Sequence, residues 1–120
     1  MAKDSGVFFV RGNNMIRVVK TNDLQKRFSE WQAASPYPLT IIGKTTTADT
    51  AEAVVQWIKQ SQLVSQEKLT WHLQPWRISL FGYINLAEIL LREAFQNQRL
   101  RGQWYTLDAE TLNELPLERL

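Results

Sequence analysis

Glu88-Ile89-Leu90-Leu91-Arg92-Glu93-Ala94-Phe95, followed by Gln96-Asn97-Gln98-Arg99-Leu100-Arg101-Gly102-Gln103-Trp104-Tyr105, is the stretch on which the reading of the fold turns. It sets an acidic residue at the start of an apolar helix and an arginine-flanked glycine turn just beyond that helix. The pattern is that of a helix docked on a short strand, with a carboxylate at the helix's N-terminal end.

Working outward, Gly6–Arg11 and Met15–Lys20 are β-branched and aromatic runs divided by Gly12-Asn13-Asn14, which predicts a hairpin closed by residues with positive φ. Thr21, Asn22 and Asp23 offer cap side chains to a helix that carries Leu24, Phe28 and Trp31 at helical spacing. That helix must stop before Pro36, because the residue ahead of a proline is pushed out of the helical region. Leu39–Gly43 reads as a third strand, and Asp108 as the cap of a last helix, Ala109 to Leu115, ended by Pro116.

Between these elements a pattern recurs. A strand ending in glycine, an Ala-Glu pair opening a helix and a tryptophan on a short strand occur as Ile41-Ile42-Gly43, Ala51-Glu52 and Trp71. They recur as Leu80-Phe81-Gly82, Ala87-Glu88 and Trp104, which suggests half-repeats over residues 38–73 and 75–107. The expectation is one domain over residues 1–120, of α+β class, with a mainly antiparallel sheet, packed helices and an added or duplicated strand-helix-strand segment.

Composition narrows the chemistry. The chain has no cysteine, which excludes disulfides, thiolate nucleophiles and cysteine-type zinc sites, and a lone His72 argues against histidine-rich metal or triad chemistry. His72, read on a strand without an acidic neighbour in sequence, is assigned no catalytic part. The formal charge of +2 gives a weak overall field, so any nucleic-acid binding must come from a local patch. No apolar run reaches the roughly 18 residues of a membrane span, and Met1–Gly6 lacks the apolar core of a signal peptide, so the expected location is cytoplasmic with no membrane partner.

Several motifs in order then resemble the phage-type branch of the GIY-YIG nuclease superfamily. They are Gly6-Val7-Phe8-Phe9, Arg17-Val18-Val19, Lys20-Thr21-Asn22-Asp23, Lys26-Arg27-Phe28, Ser35-Pro36-Tyr37-Pro38-Leu39, Glu88 and Gly102-Gln103-Trp104-Tyr105. The match spans most of the chain apart from an extra block between about Lys44 and Trp76. The resemblance implies a GIY-YIG-like core and phosphodiester hydrolysis at one divalent metal, Mg2+ or Mn2+. In it Arg27 steadies the phosphate and Glu88 holds the metal, with Glu52 as the rival position. A hard cation suits carboxylate oxygen, and a planar guanidinium suits a phosphate.

The chain departs from that pattern where the family's tyrosines stand. Phe9 and Arg17 occupy the two tyrosine positions and Val19 the second glycine position. Without a hydroxyl base, worth roughly 10²–10⁴-fold, hydrolysis would be slow. The functional expectation is therefore nucleic-acid binding, DNA foremost, on a degenerate endonuclease-like scaffold with slow metal-dependent hydrolysis. Its alternative is a non-catalytic protein-interaction or regulatory module with a protein partner.

Arg17, Lys26, Arg92, Arg99 and Arg101 are the candidates for nucleic-acid contact, the last three as a small basic edge. Tyr37 and Tyr83 are the only replacement bases in view. Each candidate also has a plain reading. Glu88 follows Asn85, and Glu52 follows Asp49, at capping-box spacing, and Arg27 beside Lys26 suits a solvated helix face. One or two of the tryptophans, if exposed, could stack on bases or anchor a protein.

Overall fold

Asn13 and Asn14 both adopt left-handed φ values, 49° and 66°, and close a two-residue turn that sets the register of the first hairpin. In a computed structural model, which describes residues 5–119, this hairpin pairs β1 (Gly6–Gly12) with β2 (Met15–Thr21), and Phe9 faces Val18 across it. Helix α1 (Leu24–Ala34) follows, with the Asp23 side chain accepting from the Lys26 N–H, and it ends before Pro36 as expected. Strand β3 (Thr40–Thr45) then pairs antiparallel with the other edge of β1. The approach at its end is so close that a Cβ on Gly6 would collide with the Thr45 carbonyl oxygen.

Helix α2 (Ala48–Ser61) starts at Thr47, whose hydroxyl accepts from the Thr50 N–H while the Thr50 hydroxyl accepts from the Thr47 N–H. The capping box expected at Asp49 and Glu52 is displaced by this threonine pair, and Glu52 lies exposed within the helix. Helix α3 (Gln66–His72) is capped by Ser65, and α4 (Pro75–Ala94) takes Pro75 in its first turn, where a proline has no N–H to waste. A 3-10 turn leads to the short strands β4 (Arg99–Arg101) and β5 (Trp104–Tyr105), and α5 (Ala109–Glu114) is capped by Asp108.

The class is α+β, with one antiparallel five-stranded sheet in the order β3-β1-β2-β5-β4. Strand alternation splits its side chains between two faces. Val7, Phe9, Ile16, Val18 and Tyr105 point to a large core filled by α2 and α4. Phe8, Val10, Ile41 and Trp104 point the other way, to a smaller core covered by Leu24, Phe28 and Trp31 of α1. Helices therefore lie on both sides, with α1 alone on one.

Two expected strands are helical. Trp71 and His72 lie in α3, where Ser65 supplies the cap and Leu69 is buried, and Leu80-Phe81 continues the helix begun at Pro75. Gly82, at φ 78° and ψ 162°, bends α4 and does not terminate a strand. The sequence echo between Ile41-Ile42-Gly43 and Leu80-Phe81-Gly82 thus joins a strand to a helix. Among the described residues, no helix is long and apolar enough to cross a membrane.

Candidate nucleic-acid interface

The turn at Gly102, with φ 56°, carries the chain from β4 to β5 at the edge of the sheet. Arg99, Leu100 and Arg101 are all exposed on the outermost strand, and among the described residues neither arginine has an ion-pair partner. Charged side chains on a short strand blunt the exposed backbone donors and acceptors of an edge, which is the bland account of their presence. The same residues also line a recess of about 440 Å³, where Arg92 from the end of α4 meets Arg99, Gly102, Gln103 and Tyr105. The basic edge expected from Arg92, Arg99 and Arg101 therefore gathers Arg92 and Arg99 in one cavity, with Arg101 beside it in β4.

On the α1 side of the sheet a second cavity, of about 510 Å³, is walled by Trp31, Tyr37, Leu39, Trp104 and Arg17. Alternation on β2 sends Arg17 to this face because Ile16 and Val18 take the other. Its guanidinium lies 5.0 Å from the Trp31 ring centre and 5.8 Å from that of Trp104. Nε and Nη2 both donate to Gln103 Oε1, at 3.2 and 3.0 Å. Burial lowers the Arg17 pKa from its ordinary value, and the two indole faces and the amide oxygen offset part of the lost hydration.

Gln103 links the two cavities. It lines the arginine recess and at the same time holds Arg17 in the aromatic one. The backbone supports this position, since the Val18 N–H donates to the Gln103 carbonyl at 3.2 Å.

The remaining sequence candidates fall elsewhere. Arg27 and Lys26 are exposed on α1, and Arg27 pairs with Glu30 at 3.3 Å on its own helix. Glu88 lies within α4 on the opposite side of the sheet, where its carboxylate accepts from Arg92 at 3.2 Å. The Asn85–Glu88 capping box does not form, because the helix begins earlier and the Asn85 amide donates to the Phe81 carbonyl. The structure brings Glu88 together with Arg92 and not with Arg27, and a cation on Glu88 would compete with that guanidinium.

Phe9 is fully buried. Tyr37 is 43% exposed in the aromatic cavity, whereas Tyr83 lines a separate cleft with Lys20 and Asn22. Sequence reading missed Trp31, Trp104 and Gln103 as parts of one site. Strand alternation placing Arg17 toward α1 was the available signal for the tryptophans; the Gln103 bond had none.

By class, then, the chain is an antiparallel α+β protein with a basic sheet edge beside an aromatic cavity. Comparison with protein-family models, curated proteins and solved structures gave no match.

Proposed function

We propose that the chain binds single-stranded or locally opened nucleic acid, DNA foremost, across the β4–β5 hairpin. The observation that carries this reading is Gln103, which joins a recess holding Arg92 and Arg99 to a cavity walled by Trp31, Trp104 and Tyr37. Phosphates would lie against Arg99 and Arg101, whose charges are unpaired among the described residues, with Arg92 behind them. An unstacked base would enter the aromatic cavity, where Arg17 props the two indoles. Phosphate contacts set position and stacking tolerates any base, so the binding is expected to be weakly sequence selective.

This reading needs no base at Phe9 and no cation at Glu88. The slow metal-dependent hydrolysis implied by the resemblance would fall to Arg27 and Glu88, and the ion pair to Arg92 opposes it. Fluorescence anisotropy with a labelled oligothymidine and a matching duplex, at several salt concentrations, tests the binding. Three phosphate contacts give a log–log salt slope of roughly −2 on a single strand. Arg99→Ala with Arg101→Ala flattens that slope, whereas Tyr37→Ala weakens binding at unchanged slope by about 1 kcal/mol or more, the scale of one stacked base. No binding at low salt, or equal loss of slope in both variants, overturns the reading.

A further inference from the structure

Helix α3 and the first half of α4 carry a second aromatic cluster. Trp71 and Trp76 are each 51% exposed, Leu80 69% and Phe81 38%. Trp71, Trp76 and Phe81 share contacts with one side chain, Arg77, and large apolar side chains gathered in this way are what association surfaces are made of. The cluster is also ordered. The two indoles meet edge to face with centres 6.2 Å apart, and Trp76 Nε1–H donates to the Gln74 side chain at 2.7 Å.

At its centre stands Arg77, with its guanidinium carbon 5.1 Å from the Trp71 ring centre, 5.6 Å from Trp76 and 4.9 Å from Phe81. Among the described residues its buried Nε has no hydrogen-bond partner, and Nη2 has only His72 Nδ1, at a long 3.4 Å. No carboxylate meets it among the described residues. Lys68 takes Glu93 at 2.8 Å, and Glu67, one turn before Trp71 on α3, makes no ion pair with Arg77.

We propose that this patch docks a segment of a partner protein in which an aspartate or glutamate stands among aliphatic or aromatic residues. A carboxylate reaching Arg77 would form charge-assisted hydrogen bonds in a site dried by the surrounding rings, where such bonds are strongest. The apolar neighbours would cover Leu80, Phe81 and the indole edges. A symmetric contact with a second copy is disfavoured, since patch against patch sets two Arg77 charges together with no acid between them. A lipid surface is disfavoured too: headgroup phosphates could accept from Arg77, but recognition of a lipid surface draws on clusters of basic residues, and the rings here surround one guanidinium.

The test is selection of a displayed random peptide library on the full chain, with Trp76→Ser/Leu80→Ser as the counter-selection bait. Both positions are half exposed or more, and circular dichroism checks that the double variant folds. Enriched peptides should carry Asp or Glu beside Leu, Phe or Trp. The best of them, followed by tryptophan fluorescence, should lose about tenfold in affinity when its acid is changed to the amide, or when Arg77→Gln replaces the guanidinium, as expected for one charged hydrogen bond. Failure to enrich acidic peptides overturns the proposal, as does equal binding of acid and amide forms. So do self-association abolished by Leu80→Ser in sedimentation, and partition of the chain onto phosphatidylcholine or phosphatidylserine vesicles.

Discussion

Arg17 and Arg77 sit among indole rings at similar distances, yet they are held in opposite ways. Arg17 has two donors on the Gln103 oxygen and bridges α1, β2 and β5. Arg77 has three rings around it and a buried Nε that meets no acceptor among the described residues. Contact with rings does not distinguish the two; the acceptor does. A caged guanidinium whose donors are met inside the molecule is part of the scaffold. For one whose donors are poorly met, as at Arg77, we propose an acceptor from a partner, because hydrogen bonds made in a dry place are strong.

The comparison breaks most visibly in stability. Arg17→Ala should destabilise the fold by about 2–3 kcal/mol, since it removes charge-assisted hydrogen bonds and the cation between two indoles at a half-buried position. Arg77→Ala should cost less than about 1 kcal/mol, because the loss of ring contacts is offset by removal of a buried, unpaired N–H. Urea denaturation of the two variants measures both. Equal losses would show that ring contact alone governs these arginines and would remove the basis for setting them apart.

The parts of this arrangement that could be read in the sequence are those fixed by local rules. The Asn13-Asn14 turn, the Asp23 and Asp108 caps and the stop before Pro36 follow from neighbouring residues, and the structure shows each of them; of the edge expected from Arg92, Arg99 and Arg101, it gathers Arg92 and Arg99 in one recess. Trp71 and Leu80-Phe81, expected on strands, are helical, since short aromatic and apolar runs suit either strand or helix. What decides between them is the Ser65 cap and Pro75 at a first helical turn. The Arg77 cluster has no signal in the sequence for a related reason: only once those runs are helical do the rings at positions 71, 76 and 81 gather around the guanidinium of Arg77. The pairing of Gln103 with Arg17, across 86 residues, had no local signal at all.

A second variant sharpens the rule about unmet donors by creating one. Phe9 is fully buried in the apolar core between the sheet and α2 and α4, so Phe9→Tyr sets a hydroxyl into a cluster of buried hydrophobic side chains. The expected loss is about 1–2 kcal/mol, less than for Arg17→Ala, with no gain in DNA cleavage in magnesium or manganese. Thermal melting and a plasmid time course check the two halves. A tyrosine that is neutral for stability and speeds cleavage would mean that the strand opens to solvent at this position, and would restore the nuclease reading.

The smallest effect concerns an acceptor whose donors all lie within the chain. Glu118 Oε2 accepts from the Thr46 N–H at 2.6 Å and from the Thr50 hydroxyl at 3.0 Å, while the Thr46 hydroxyl reaches Oε1 at 2.9 Å. The backbone beside it pairs with Lys44, so these bonds pin the C-terminal tail to β3 and the start of α2. Burial acts to raise the Glu118 pKa, but the bonds from Thr46 and Thr50 and the charge of Lys44 outweigh it, and the net direction is down. With a folded value below the unfolded one, near about 4.3 for a glutamate, the stabilisation is fully present above that pH and is lost as pH falls through the folded value. Glu118→Gln should therefore melt below the parent at pH 7, by a gap worth less than about 1 kcal/mol, and the gap should shrink as pH falls below the unfolded value and the parental carboxyl takes up its proton. If the gap is the same at every pH down to acid unfolding, shape and not charge holds the tail, and Glu118 would no longer serve as the internally satisfied counterpart to Arg77.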